Sequence, residues 1–265
     1  MRDVQAELDP RNVPIDRVGV CGVSYPVTVM DRCDKTQATV ASVSMSVLLP
    51  REHRGTHMSR FIGILDACRE RISPSMLETV TRELRDRLGA SESSVKFEFP
   101  YFVRKKAPVS GLESLMRYEA SVEAVSRDDD LDMIIGVRVP VQTLCPCSKE
   151  ISERGAHNQR AVISIRVRYS RLVWFEELIS MAEASASAPL FTLLKREDEK
   201  YVTEHAYETP RFVEDAAREL ALALDGDERV IWYAVSIISS ESIHNHDAFA
   251  EISRDKRVSK RGAER

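Results

Sequence analysis

Apolar and polar residues alternate along residues 38–49 (ATVASVSMSVLL), a segment rich in β-branched side chains that predicts a half-buried β-strand. Residues 18–30 precede it, and the polar residues 31–35 between them favour a turn, so the two strands are expected to pair. In residues 58–68 the apolar positions recur every three or four residues, which is typical of a helix. The chain is therefore expected to open with two strands and a helix.

A second helix is predicted over residues 74–88 by the signals at its two ends. Ser73 is a suitable N-cap, Pro74 suits the first helical turn, and Gly89 suits the exit. Residues 95–104 and 114–126 then have the composition of strands. The first half of the chain thus predicts the order strand, strand, helix, helix, strand, strand.

The second half repeats this order. Its strands are predicted over residues 131–141, 161–169, 229–239 and 249–252, and its helices over residues 174–182 and 210–224. Thr209 is the expected cap of the last helix, with Pro210 in its first turn and Gly226 at its exit. The two halves share little residue identity, so the repeat is one of architecture.

Two tandem ββααββ modules of antiparallel sheet carrying helix pairs make an α+β fold class. We expect the first module at residues 13–128 and the second at 129–253, with flexible termini at 1–12 and 254–265. A four-stranded module has exposed edges, so assembly into a larger, barrel-like oligomer is expected. The basic tail is interpreted as a solvated end, and a nucleic-acid-binding arm is the alternative.

Composition and charge exclude several functional classes. The chain has 265 residues, of which 43% are hydrophobic, and a formal net charge of -4, so a substantial core is expected and a general nucleic-acid binder is not. No apolar run reaches a membrane span and the first residues lack a signal-peptide core, which predicts a cytoplasmic protein. Five irregularly spaced cysteines do not indicate a disulfide framework.

The stretch 143–160 (TLCPCSKEISERGAHNQR) carries the clearest chemical signal. Cys145 and Cys147 are soft donors one residue apart, and a short loop could bring His157 back to complete a metal site. Pro146 disfavours a central strand position, which indicates the polar end of a strand. Buried, inert cysteines are the alternative interpretation.

Further polar clusters are less specific. His57 and Arg60 lie where the chain enters a helix, which is the chemistry of an anion site, and His244 and His246 share one short segment. Residues 193–204 (LLKREDEKYVTE) are interpreted as a solvated charge run before a strand or turn. Glu214 begins a helix, and nothing local marks it as special.

Together these segments resemble a known family. GTHMSRF, LCPCSKEIS, GAHNQR, KREDEKYVTE, ETPRFVED and ESIHNHDAF stand in the order that they take in the prokaryotic type IB GTP cyclohydrolases. The resemblance implies a tunnelling fold of two ββααββ modules and a homotetramer with active sites near subunit interfaces. It also implies conversion of GTP and water to 7,8-dihydroneopterin triphosphate and formate, the entry to folate biosynthesis.

The resemblance further implies a divalent metal, Zn²⁺ or Mn²⁺, with Fe²⁺ as a further option. The implied ligands are Cys145, His157, Glu199 and His244, with the alternative that His157 holds the metal-bound water. Glu197 and Glu204 lie close to Glu199 and remain alternatives, as does His246 for His244.

The remaining roles also follow from the resemblance. Catalytic roles fall to Cys145, Cys147, His157 and His246, with Cys147 as a proton donor and acceptor or an alternative ligand. Glu214 matches the residue that anchors guanine. His57, Arg60 and Lys149 are predicted to bind the triphosphate.

Three other functions are weighed against this one. An archaeal-like cyclohydrolase would give a cyclic phosphate, and a related enzyme acting on a deazaguanine would use its cysteine to attack a nitrile. A non-catalytic zinc-binding protein of the same fold would hold metal without releasing formate.

Overall fold

The computed structural model describes residues 5, 7–68, 71–128 and 130–257. Within these residues the chain forms a nine-stranded sheet and six helices. The strands are β1 (Ile15–Asp31), β2 (Lys35–Leu49), β3 (Glu92–Lys106), β4 (Glu113–Arg127), β5 (Asp130–Leu144), β6 (Asn158–Tyr169), β7 (Ala188–Pro189), β8 (Val230–Ser240) and β9 (Asp247–Asp255). The helices are α1 (Met58–Ala67), α2 (Pro74–Leu88), α3 (Pro146–Ile151), α4 (Phe175–Ser185), α5 (Arg196–Glu208) and α6 (Val213–Gly226).

The sheet runs in the order β1-β2-β3-β4-β5-β6-β8-β9, and β7 pairs with β5. The predicted fold class, an α+β tunnelling fold of two tandem ββααββ modules, is therefore wrong. Strands from both halves of the chain belong to one sheet, and the second half adds α3, α5 and β7 to the expected order. Composition alone could not show this, because strand pairing across the chain is a long-range property.

The chain divides into two compact units that do not follow the predicted boundary between residues 128 and 129. Unit 1 comprises Met1–Pro100 and Ser121–Ile134, and unit 2 comprises Tyr101–Ala120 and Ile135–Arg265. Each unit is discontinuous in sequence, since residues 101–120, from the end of β3 to the middle of β4, belong to unit 2.

In unit 1, β1 and β2 form a long antiparallel hairpin, as the alternating pattern predicted. Alternate residues of β2 are buried, from Ala41 to Leu49; α2 packs against β2, and α1 packs against β1 and α2. The predicted ends of α2 are also confirmed. The Ser73 hydroxyl accepts a hydrogen bond from the Met76 N–H at 3.2 Å, and Gly89 adopts the left-handed conformation at φ 63°.

In unit 2, the apolar stripe of α6 packs against β8, β9 and α4. The buried residues of this stripe are Val213, Ala216, Ala217, Leu220, Ala221 and Leu224. The predicted start of this helix at Pro210 is wrong, because Thr209 is the C-cap of α5 and α6 begins at Val213.

The charged residues 193–204 form most of helix α5 rather than a solvated run before a strand or turn. Asp198 is fully buried in its first turn and accepts hydrogen bonds from the N–H groups of Lys195, Val109 and Ser110 and from the Ser110 hydroxyl. Burial alone would raise the pKa of Asp198, but these hydrogen bonds outweigh it and hold the pKa below its ordinary value. One acid therefore caps α5 and ties it to the turn between β3 and β4.

A partly buried ion pair links α4 to the sheet in the same unit. Lys105 Nζ lies 2.6 Å from Glu183 Oε1, which also accepts the Tyr118 hydroxyl at 2.7 Å. Burial lowers the pKa of Lys105, and the attraction of Glu183 offsets part of that effect. The carboxylate therefore joins α4 to β3 and β4 through a lysine and a tyrosine.

The predicted flexible termini, 1–12 and 254–265, lie partly outside the described residues. Where they are described, Leu8 forms an isolated bridge with His53, and β9 continues to Asp255. Lys256 Nζ donates to backbone carbonyls at the end of α6. No helix in the described part of the chain is long and apolar enough to cross a membrane.

Replacing either of two glycines of unit 1 with alanine is expected to change the free energy of unfolding, in opposite directions for the two positions. A Cβ at Gly19 would lie 1.9 Å from the Met45 carbonyl oxygen, whereas a Cβ at Gly63, inside α1, meets nothing within 4 Å. We expect Gly19→Ala to lower the free energy of unfolding by about 1–3 kcal/mol, because β1 must move away from β2. Gly63→Ala should raise it by about 0.5–1 kcal/mol by favouring the helix.

Urea unfolding followed by circular dichroism measures both changes. A Gly19→Ala protein as stable as the unmodified chain would show that β1 and β2 do not approach this closely.

Candidate active site

The β5–β6 hairpin brings Cys145 and His157 together, as the short loop between them predicted. Leu144 at the end of β5 pairs with Asn158 at the start of β6. One residue further out, the Cys145 N–H donates to the His157 carbonyl at 3.1 Å. Inside the loop, the His157 N–H donates to the Ser148 hydroxyl at 3.2 Å. The two residues therefore lie side by side at the end of the hairpin.

Helix α3, which the sequence did not predict, sets the position of the Cys145 sulfur. Cys145 is the N-cap of this helix and Pro146 is its first residue, which suits proline because the N–H at that position has no helical partner. The Ser148 N–H donates to the sulfur at 3.4 Å. Cys147 lies on the helix itself and is exposed. The capping bond thus orients one of the two thiols and leaves the other at the surface.

The segment after β8 places His244 and His246 next to the hairpin. Their rings are stacked with centroids 5.0 Å apart, and the His244 ring lies 6.4 Å from that of His157 in an edge-on arrangement. Three imidazoles are therefore gathered beside Cys145, although the sequence separates them by almost 90 residues.

These side chains share one cleft of about 490 Å³ within unit 2. Its lining includes Cys145, His157, His244 and His246 from the loops, Arg211 and Phe212 from just before α6, and Glu214 from its first turn. Glu214 is exposed in the first turn of the helix, where the helix dipole favours an acid. The cleft thus combines a thiol, imidazoles, a guanidinium group and a carboxylate.

Five predicted site residues, including the exposed Cys147, are not part of the described lining of this cleft. Glu199 is exposed in the first turn of α5. The Lys149 ammonium donates to the Tyr207 carbonyl at 2.5 Å and lies over the Tyr207 ring. His57 and Arg60 belong to unit 1, at the start of α1. Their proposed roles stay predictions.

The polar residues of the cleft that the sequence analysis did not predict include Gln159 and Glu241. The Gln159 carbonyl oxygen lies 3.0 Å from His157 Nδ1, and its amino group donates to Thr143 Oγ1 at 3.2 Å and to Glu241 Oε1 at 3.3 Å. Glu241 Oε2 lies 4.0 Å from His157 Nδ1. The available signal for Gln159 was its place two residues after His157, since alternate strand residues face the same side.

The thiol and imidazole side chains of the cleft are of the chemical types that bind divalent metal ions. Thiolate and imidazole are ordinary zinc ligands, and Cys145, His157 and His244 face the same space. Among the described residues, however, no three His, Cys, Asp or Glu side chains are close enough together to hold an ion as they stand. Coordination by this set therefore requires side-chain movement.

A second cavity, of about 420 Å³, lies in unit 1 and has a different character. Its lining is mostly apolar, including Val27, Leu65, Met76 and Phe97, with Cys68 as its thiol. It lacks the cluster of imidazoles and acids found in unit 2. The cleft in unit 2 is therefore the stronger candidate for chemistry.

Comparison with solved structures identifies the architecture. The chain is similar to a uricase from Bacillus fastidious, with a TM-score of 0.55 and 8% identity over 94% of this chain and 96% of that one. It is also similar to the uricase of Arthrobacter globiformis, with a TM-score of 0.53 and 8% identity over 90% and 93%. This likeness concerns the fold alone, and it replaces the two-module prediction.

Comparison with known sequences identifies the family. GTP cyclohydrolase FolE2 of Pseudothermotoga lettingae is 53% identical over 256 residues, covering 97% of this chain and 99% of that protein. GTP cyclohydrolase FolE2 of Geobacter sulfurreducens is 51% identical over 257 residues, covering 97% and 99%. The family model described as type I GTP cyclohydrolase FolE2 matches residues 1–250. The chain therefore belongs to the FolE2 family of type I GTP cyclohydrolases.

Proposed function

We propose that this chain is a type IB GTP cyclohydrolase I that converts GTP and water to 7,8-dihydroneopterin triphosphate and formate, the first step of tetrahydrofolate biosynthesis. The single observation that carries the proposal is the cleft that gathers Cys145, three imidazoles and Glu214. FolE2 relatives that are 53% and 51% identical to this chain over 97% of its length are named GTP cyclohydrolase. Homotetrameric assembly and a cytoplasmic location stay predictions.

Glu214 is the proposed anchor of the guanine base. A carboxylate can accept hydrogen bonds from guanine N1–H and from the 2-amino group at the same time, which is a planar two-point match. Adenine has an acceptor at N1 and no 2-amino group, so the same carboxylate rejects it. The cleft of about 490 Å³ is of ordinary size for a small-molecule site, and Phe212 and Phe249 line it with aromatic surface.

Cys145, His157 and His244 are the proposed ligands of a Zn²⁺ or Mn²⁺ ion. When bound, such an ion supplies a water molecule whose pKa is lowered towards neutrality. Glu199 stays a predicted ligand; it is exposed in the first turn of α5 and is not part of the described lining of the cleft.

The reaction itself is a sequence of hydrolyses and proton transfers. Water adds at C8 of guanine and opens the imidazole ring to a formamide, and a second water releases formate. The ribose then opens and rearranges, and ring closure by the freed amine returns one water, so one water is consumed overall. Each step needs a group that gains and loses a proton near neutral pH, and histidine is suited to this. His246 and Cys147 are the proposed proton carriers.

The triphosphate requires cations near the cleft. Lys149, His57 and Arg60 remain the predicted contacts, and Arg211, which lines the cleft and whose Nη1 lies 3.2 Å from Glu219 Oε1, is a further candidate. An arginine offers paired N–H donors that match phosphate oxygens. Arg211 is therefore included among the residues proposed to meet the nucleotide.

The proposal predicts GTP turnover that depends on a divalent ion. We expect formate and a fluorescent pterin triphosphate in stoichiometric amounts with Zn²⁺ or Mn²⁺. Chelation should stop turnover, and adding the ion back should restore it. Chromatography of the product separates the acyclic triphosphate from a cyclic phosphate. Absence of formate with Zn²⁺, Mn²⁺ and Fe²⁺ alike would falsify the function.

Removal of the Cys145 thiol should abolish turnover. We expect Cys145→Ala to release no formate and to retain less metal than the unmodified protein, because a soft ligand is lost. Metal content by mass spectrometry and formate release are the two measurements. Cys33→Ala is the matched control, since Cys33 is exposed in the turn between β1 and β2. Full activity in Cys145→Ala would exclude this thiol from the site.

Removal of the Glu214 carboxylate should weaken GTP binding and leave metal content unchanged. We expect Glu214→Ala to raise the KM for GTP at least about 10-fold, because one hydrogen bond to a charged group is worth about 1.5–3 kcal/mol. Glu228→Gln, in the exposed turn after α6, is the control. The KM for GTP is measured by steady-state kinetics. An unchanged KM in Glu214→Ala would exclude Glu214 as the anchor of guanine.

A further inference from the structure

Gln159 stands at the centre of a polar network that crosses three strands. It lies on β6, whose neighbours in the sheet are β5 and β8. Its cross-strand partner on β5 is Thr143. On the other side Ala161 pairs with Ser239, so the same register brings Gln159 opposite Glu241, directly after β8. The Gln159 side chain thus links β6 to β5 and to the residue that follows β8, and all three residues line the cleft.

The carboxylate of Glu241 determines which way the Gln159 amide points. The amino group of Gln159 is a donor only, and it lies 3.3 Å from Glu241 Oε1, which accepts its hydrogen bond. The same amino group donates to Thr143 Oγ1 at 3.2 Å. The amide carbonyl oxygen must then face His157 Nδ1, at 3.0 Å. The amide orientation therefore follows from its partners.

The orientation of the amide in turn decides the tautomer of His157. A carbonyl oxygen accepts and does not donate, so Nδ1 of His157 has to carry the proton. The other ring nitrogen, Nε2, is left with its lone pair. A hydrogen bond to one imidazole nitrogen is the ordinary way in which a protein selects the nitrogen that binds a metal or a proton.

The network is held in place by buried groups behind it. Thr143 and Ser239 are 1% and 0% exposed, and their hydroxyl oxygens lie 3.2 Å apart. The side chains of His157 and Glu241 are 12% and 14% exposed. The amide therefore joins a rigid, buried hydroxyl pair to two partly buried groups that face the cleft.

We infer that Gln159 is a positioning residue of the proposed active site, which holds His157 in the tautomer with a free Nε2 and fixes Glu241 beside the same ring. The inference rests on the proposed function for its kinetic consequence, but the tautomer is a property of the metal-free protein. It assigns no bond to substrate or metal to Gln159 itself.

Two variants separate the contact of Gln159 with His157 from its contact with Glu241. Gln159→Met keeps the approximate shape and removes both the acceptor facing His157 and the donor facing Glu241. Gln159→Glu keeps an acceptor for Nδ1–H but sets a carboxylate against Glu241. Gln142→Met is the matched control, because Gln142 lies on the opposite face of β5 from Thr143 and is similarly half-buried.

The first measurement is the ¹⁵N shift of the His157 ring nitrogens in metal-free protein, assigned by loss of the signal in His157→Asn. We expect a protonated Nδ1 and an unprotonated Nε2 in the unmodified chain and in Gln159→Glu, and a shift towards the Nε2–H form in Gln159→Met. Gln142→Met should match the unmodified chain. A protonated Nε2 in the unmodified chain overturns the inference.

The second measurement is steady-state turnover of GTP. We expect kcat to fall about 10- to 100-fold in Gln159→Met with the KM for GTP changed by less than about threefold, as is typical when a supporting partner of an active-site histidine is lost. Gln159→Glu should have a higher kcat than Gln159→Met, because it keeps the hydrogen-bond acceptor that faces His157 Nδ1. Wild-type kcat in Gln159→Met overturns the positioning role. If the unmodified protein releases no formate, the proposed function fails while the tautomer comparison still tests the network.

Discussion

The register of the β5–β6 hairpin is the constraint on which the candidate site depends. Leu144 pairs with Asn158, and the Cys145 N–H meets the His157 carbonyl at 3.1 Å. A slip of one residue would send every side chain of one strand to the other face of the sheet. Cys145, His157 and Gln159 would then no longer share a cleft. The apolar residues of β6, which are buried at alternate positions, oppose such a slip, so the hydrophobic core and the chemistry depend on the same pairing.

Other elements bring their groups to this hairpin through packing rather than through local sequence. Helix α6 brings Glu214 to the cleft, with Arg211 two residues before its first residue, because its apolar stripe is buried against β8, β9 and α4. The segment after β8 brings His244 and Glu241 because β8 pairs with β6. The acid and the imidazoles therefore meet because strands that are distant in the chain are neighbours in the sheet.

Buried polar groups account for the parts of unit 2 that the pattern of apolar residues did not predict. The charged stretch 193–204 contains few apolar residues, so its periodicity gave no sign of a helix. Asp198 explains the helix, because it caps α5 and accepts hydrogen bonds from the β3–β4 turn. Thr209 and Pro210 have the sequence pattern of a helix start, but Thr209 is the C-cap of α5. Capping signals are local, and two helices in succession compete for the same residues.

The sequence by itself determined the strands and helices of the first half, the pairing of β1 with β2, and the return of His157 to Cys145. These features depend on alternation, on caps and on short loops, all of which act over a few residues. The sequence also contains the motifs of the family. Glu214 was identified from one of these motifs, although no local pattern distinguished it. Tertiary structure alone decided that the strands form one sheet, that Gln159 and Glu241 belong to the cleft, and that Glu199 lies outside its described lining. Those outcomes depend on which distant strands pair and on which face each side chain then points to, and no local pattern contains that information.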